Sequence, residues 1–248
     1  MTITQPKVHL VAHTQLAFSG DEDHPRQIMR RDPEATDAEH LAEFAGRACY
    51  QSFHKPNPAT RKNADYLQRT LFEQHHWSIA EHATATLYFT GVSRAFTHEL
   101  IRHRHLSYSQ LSQRYVDEAE ASPVIPPAVS GLEPYIGDDK EPFTDGLYCS
   151  LTEAMQDWAR EARRSYKILV ERLLEEGFPR KQAREAARAV LPNMTETRIV
   201  VTGNLRAWHD VIQRRTAPDA DAEMQHVMEL AREALQPVAP VIFTKEQQ

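Results

Sequence analysis

Glycine is scarce in this chain of 248 residues. There are eight, at positions 20, 46, 91, 131, 137, 146, 177 and 203, and none cluster. Neither a P-loop nor a G-x-G-x-x-G turn is present, so a bound nucleotide would have to be held by side chains. Cys49 and Cys149 are the only cysteines, too few for a disulfide framework or a Cys-based zinc site. Lysine is short as well. Lys7, Lys55, Lys62, Lys140, Lys167, Lys181 and Lys245 leave 22 of the 29 basic residues to arginine. No apolar run approaches the ~20 residues of a membrane span. The first 20 residues lack the basic-then-apolar order of a signal peptide. The expectation is a cytoplasmic protein that does not contact a membrane. A net charge of −6 argues against a general nucleic-acid binder.

What is abundant is arginine, and it is concentrated. Residues 102 to 115 read Arg-His-Arg-His-Leu-Ser-Tyr-Ser-Gln-Leu-Ser-Gln-Arg-Tyr, without a lysine or an acid. Unpaired guanidinium groups are costly to bury, and their forked geometry suits phosphate. The run therefore reads as a surface for an anion. An RNA-binding reading would use Tyr108 and Tyr115 for stacking, but the acidic net charge opposes it.

Elsewhere the chain alternates a few strand signals with many helical ones. Val8 to Phe18 reads as an edge or first strand. Thr36 opens a helix to Tyr50 with a capping box, Glu39 standing three places on. A second helix begins near Asn63. Ala83 to Thr90 alternates as a strand, and Ser93 caps a helix running toward Arg102. On that helix Val92, Phe96 and Leu100 form a stripe; helical phase places His103 inside it and Arg102 on its flank. Residues 121 to 146 are rich in Pro and Gly and read as a loop. A helix from Phe143 to Glu176 carries Leu147, Leu151, Met155, Trp158, Ala162, Ile168 and Leu169 as its apolar stripe. Pro179 opens a helix through Leu191, Thr195 to Thr202 is a strand, Asn204 caps a helix to Arg215, and a last helix runs from Ala220 to Leu235. The pattern predicts an α+β fold, a mixed sheet with flanking helices in a single domain over 1–248.

Two further groups carry chemistry. His75, His76, Glu81 and His82 lack the i, i+4 spacing of a helical zinc site, so no metal is expected; they line a cleft or lie on plain surface. Asn204 as N-cap leaves amides facing outward, suited to phosphate. Arg206 and Asp210, four apart, share a helix face, where a local ion pair is the simplest use of them.

Arg102-His103-Arg104, seven residues, then Ser112-Gln113-Arg114-Tyr115 resembles the signature of the flavin-dependent thymidylate synthases. Arg47-Ala48-Cys49-Tyr50, His76 through His82, Ala187 through Pro192, Asn204-x-Arg206 and Arg215 follow that family in order. The resemblance implies a homotetramer with FAD and dUMP at subunit interfaces. It implies methylation of dUMP to dTMP, with 5,10-methylenetetrahydrofolate as carbon donor and NADPH as reductant. By position, Ser78, Arg102, His103, Arg104, Gln110, Asn204, Leu205, Arg206 and Asp210 would contact FAD. Glu99, Leu100, Ile101, Arg102, Gln110, Leu111, Ser112, Gln113, Arg114, Arg188 and Arg215 would surround dUMP. Arg215 would polarise the uracil, Ser112 would position the nucleotide, and His76 would sit against flavin or folate. Ser109 and Gln110 stand where the family often has Asn and Glu, and acids stand at Asp210 and Asp219. The alternative is an inactive relative kept as an interaction scaffold.

Overall fold

The computed structural model describes residues 3–17, 25–129, 132 and 150–245. Four strands, β1 (Lys7–His13), β2 (Thr84–Ser93), β3 (Ser107–Gln110) and β4 (Glu196–Asn204), form one sheet in the order β1-β2-β4-β3. Every pair in it is antiparallel, which corrects the expected mixed sheet. The chain leaves β2 through a helix and returns in β3 with the same direction. β4 inserts between those two strands, so neither meets a parallel neighbour.

Around the sheet lie α1 (Pro25–Ile28), α2 (Asp37–Cys49), α3 (Asn63–Leu67), α4 (Arg94–Leu100), α5 (Leu151–Glu175), α6 (Arg180–Ala187), α7 (Leu205–Arg215), α8 (Ala222–Leu235) and α9 (Pro240–Phe243). Their starts follow local side-chain chemistry. Thr36 accepts from the Glu39 amide while the Glu39 side chain reaches back, completing the capping box on α2. Ser93 accepts from the Phe96 amide at 2.9 Å, and Asn204 from that of Ala207 at 2.8 Å, so β2 and β4 both run directly into capped helices.

The core lies between sheet and helices. β2 contributes Leu87 and Phe89, β4 Ile199 and Val201, α7 Trp208 and Ile212, and α8 Met224, Val227 and Met228. Trp208 donates its indole N–H to the Ala85 carbonyl at 3.0 Å, so this large apolar ring is buried with its polar atom satisfied. At Gly203 in β4 a Cβ would collide with the Leu106 side chain, so glycine there lets the arginine-rich segment lie directly on the sheet.

The α5 stripe departs from expectation. Ala154, Ala159, Tyr166 and Val170 are the buried positions, and Tyr166 and Val170 pack with Ala187 of α6 in a small separate cluster. Trp158 is 42% exposed, Ile168 55% and Leu169 38%. Among the described residues none of the expected stripe is fully buried: this chain covers a neighbouring face of the helix instead. Leu147, the Phe143 start of that helix, residues 130, 131 and 133–146 of the expected loop and the Phe18 end of the first strand lie outside the described residues. Between Pro123 and Val129 the loop makes one bridge, from Pro123 to Thr195.

Candidate functional site

The α4 helix ends at Leu100, not at Arg102 as the sequence suggested. From β3 the Tyr108 hydroxyl shares its one proton between the carbonyls of Leu100 and His103, each at 2.8 Å, which also accept from the His103 and Leu106 amides in the turn that follows the helix. Burial pushes the Tyr108 phenol up to about 12, so it stays a donor. Residues 101 to 106 become a turn with Arg102 and Arg104 exposed, His103 half-buried and Leu106 buried.

His103 lies beyond the helix end, half-buried rather than within the buried Val92, Phe96 and Leu100 stripe. Its Nε2 accepts from Nε of Arg215 at 2.8 Å, and Nη2 of Arg215 lies 3.4 Å from Oε2 of Glu99. Burial first, then Arg215 and Arg214, lower the His103 pKa, with Glu99 opposing. Glu99 and His103, four residues apart, thus form one cluster with the distant Arg215 where α4, the turn and the end of α7 converge.

Gln110 lies beside it on β3. Its amide donates to Thr97 at 2.9 Å and approaches Thr197 at 3.3 Å. Gln110, Glu99 and Ile101 line a cavity of about 380 Å³ together with Arg94, Thr97, His98 and Asn193. Arg94 was not singled out from sequence. Burial lowers its pKa, the carboxylate of Glu118 opposes, and Arg188 acts on it with like charge. Glu118 is buried to 3% exposure with one unpartnered carboxylate oxygen, and burial pushes it up to about 7. Sequence gave no signal for either residue beyond an Arg at a helix start and an acid in an acidic stretch.

The rest of the signature leads to α6. The Leu111 amide donates to the Arg198 carbonyl, and the Ser112 carbonyl accepts from the Tyr115 and Val116 amides. Gln113 is buried, with its amide nitrogen unpartnered. Arg114 lies 3.8 Å from Glu185. Arg184 donates to the Tyr115 carbonyl at 2.5 Å and to Asp117 at 2.9 Å, fastening this segment to the helix that leads into Arg188, which is exposed.

The remaining positions assigned to flavin fall on two facing elements. Asn204 ends β4 and caps α7, while Ser78 lies on the 3-10 turn Trp77–Glu81. Trp77 stacks on His209 with centroids 4.0 Å apart, and Arg206 pairs with Glu81 at 2.6 Å. Arg206 therefore does not pair with Asp210, which lies 3.6 Å from His209 instead. Burial first lowers the His209 pKa. Leu100 and Leu205 are fully buried, so only their backbones could meet a ligand. His76 is exposed and lines a separate cavity of about 310 Å³ with Arg47, Tyr50, Arg69 and Gln74. Arg47 is itself buried, bonded to Glu43 at 2.7 Å and to the Thr60 carbonyl at 2.6 Å.

The fold is that of an α+β protein, with exposed arginines, a helix N-terminus and a cavity along the β3–β4 side of its sheet. A profile of the thymidylate synthase complementing protein family matches residues 33–241. The chain belongs to that family. It is 45% identical over 251 residues to a flavin-dependent thymidylate synthase of Mycobacterium sp. (strain JLS), covering 98% of this chain and 91% of that one. It is 50% identical over 222 residues to the enzyme of that name from Mycobacterium bovis (strain BCG / Pasteur 1173P2), covering 85% and 82%. Its fold is similar to the crystal structure of Thymidylate Synthase X from Helicobacter pylori with FAD and dUMP. The TM-score is 0.63 at 19% identity, covering 97% of this chain and 100% of that one.

Proposed function

We infer that this chain is a flavin-dependent thymidylate synthase, methylating dUMP to dTMP with methylene from 5,10-methylenetetrahydrofolate and hydride from NADPH through FAD. Its near relatives carry that name, and the observation in this structure that supports the reading is the Glu99–His103–Arg215 cluster beside the Gln110 cavity. In this reading one catalytic domain spans 1–248, works in the cytoplasm as a homotetramer, and binds dUMP and folate rather than nucleic acid or membrane.

The residues present suit a flavin dinucleotide. Arg102 and Arg104 are exposed, make no ion pair among the described residues, and lie one short turn from the Gly203–Leu106 contact. Arg206 and the amides at the start of α7 supply further positive potential. When bound, FAD supplies the hydride chemistry; the chain's residues bind and orient. Arg102, Arg104, Arg206, Asn204 and Ser78 would hold it. Arg114, Arg188, Ser112 and Gln113 would hold the dUMP phosphate, charge-assisted bonds to which are worth ~1.5–3 kcal/mol each. Arg215 would face the uracil and stabilise the ring's negative charge without itself titrating. His76, in its own cavity, would bound the face where folate enters.

The purified protein should be yellow and oxidise NADPH faster when dUMP is added, and its gene should rescue thymidine-requiring cells. Colourless protein binding FAD no better than Arg102→Ala would overturn the reading. Flavin binding without dTMP formation would favour the scaffold.

A further inference from the structure

A guanidinium is planar, so fixing Nε and one terminal nitrogen fixes the direction of the other. Arg215 is held in that way, by His103 at Nε and by Glu99 at Nη2. Arg215 is permanently charged and can only donate. The Nε2 atom of His103 must therefore carry a lone pair, which puts the imidazole proton on Nδ1 and makes the ring neutral. We propose that His103 is the residue that aims Arg215 at the uracil, and that it does so only as a neutral imidazole. This rests on the reading of Arg215 as the uracil-facing group and adds to it a positioning residue with a proton-dependent state.

The surroundings of His103 favour that state. Its backbone is pinned by the Tyr108 hydroxyl from β3. From α7 it faces Arg215 and Arg214, and from α4 it faces Glu99. Two guanidiniums against one carboxylate, in a half-buried setting, disfavour a third cation. Protonation would remove the acceptor and set an imidazolium against Arg214 and Arg215. Among the described residues Glu99 would then be the one fixed partner of Arg215, and one contact does not fix a plane.

The consequence is chemical. When uracil ionises, the N3–H bond breaks, the proton passes to solvent, and the electron pair spreads over N3 and the two ring oxygens. An aimed guanidinium stabilises that anion in a way that a swinging one does not. His103 thus ties the preference for ionised uracil to its own neutral form.

The test uses the flavin-loaded full-length protein with 5-fluoro-dUMP as probe, its N3 ionisation followed by fluorine NMR across pH. In His103→Ala the bound probe should ionise about one pH unit higher than in the unaltered protein, the scale of one charge-assisted hydrogen bond. His103→Gln offers an amide oxygen that accepts but does not titrate. It should restore ionisation and reduce the acid-side loss of ionised probe from the steeper than one-proton limb of the unaltered protein to the one-proton titration of N3 itself. Unchanged ionisation in His103→Ala, or an unchanged acid limb in His103→Gln, would overturn the proposal. Arg215→Ala separates the two levels: if it leaves the spectrum unmoved, the placement of uracil against Arg215 fails first, and the role of His103 with it.

Discussion

At the scale of single residues, the buried acid Glu118 has the clearest consequence for stability. Its folded pKa, raised to about 7, means that the folded protein binds this proton more tightly than the unfolded chain does. Stability from this group is therefore highest below the ordinary glutamate range and falls as pH rises from there through 7. Glu118→Gln should remove that slope. Denaturant unfolding should show a gain of about 1–3 kcal/mol at pH 8 and little change near pH 4; equal effects at both would show that the carboxylate is not what burial destabilises. Other residue placements were beyond the sequence for a simple reason. Arg206 and Asp210 stand one helical turn apart, so a local pair was legible, but Glu81 is 125 positions away and wins Arg206. Spacing along one helix does not reveal what another element presents to it.

At the scale of elements, the sequence was most informative where a side chain bonds its own backbone. Thr36, Ser93 and Asn204 mark helix starts because capping is decided within four residues. It was least informative at β3, where only four residues pair with β4 and Tyr108 is their one apolar side chain. The arginine-rich run therefore looked like one continuous surface. In the fold it is a turn followed by an edge strand, held down at Leu106 on Gly203. Gly203→Ala would force the Leu106 side chain and the turn apart from the sheet. Such overpacking typically costs about 1–3 kcal/mol. Flavin affinity should fall further than Tm alone would explain, because Arg102 to Arg104 ride on that turn. Calorimetry alongside a flavin titration checks this, and a loss of stability with intact flavin affinity would count against it.

At the scale of the whole molecule, three of the four strands and the capped helices were foreseeable, whereas the third strand, the pairing of His103 with Arg215 and the role of α5 were not. Trp158, Ile168 and Leu169 stand exposed along α5, and Leu174 and Phe178 stand exposed at its C-terminal end. A monomer seldom exposes so many large apolar side chains on one helix. Ile168→Asp combined with Trp158→Asp should lower the apparent mass in sedimentation and reduce dTMP formation. An assembly of unchanged mass would show that this face is not where subunits meet.

The division between the two ends of the signature carries a genetic corollary. Arg215 belongs to the His103 turn, whereas Arg188 follows α6, packed on α5. If neighbouring copies each lend one of these ends to a shared pocket, Arg215→Ala and Arg188→Ala are lesions in different halves of it. Each alone should be inactive. Co-expressed in one cell, they should complement each other, because some mixed assemblies then hold a pocket with both arginines intact.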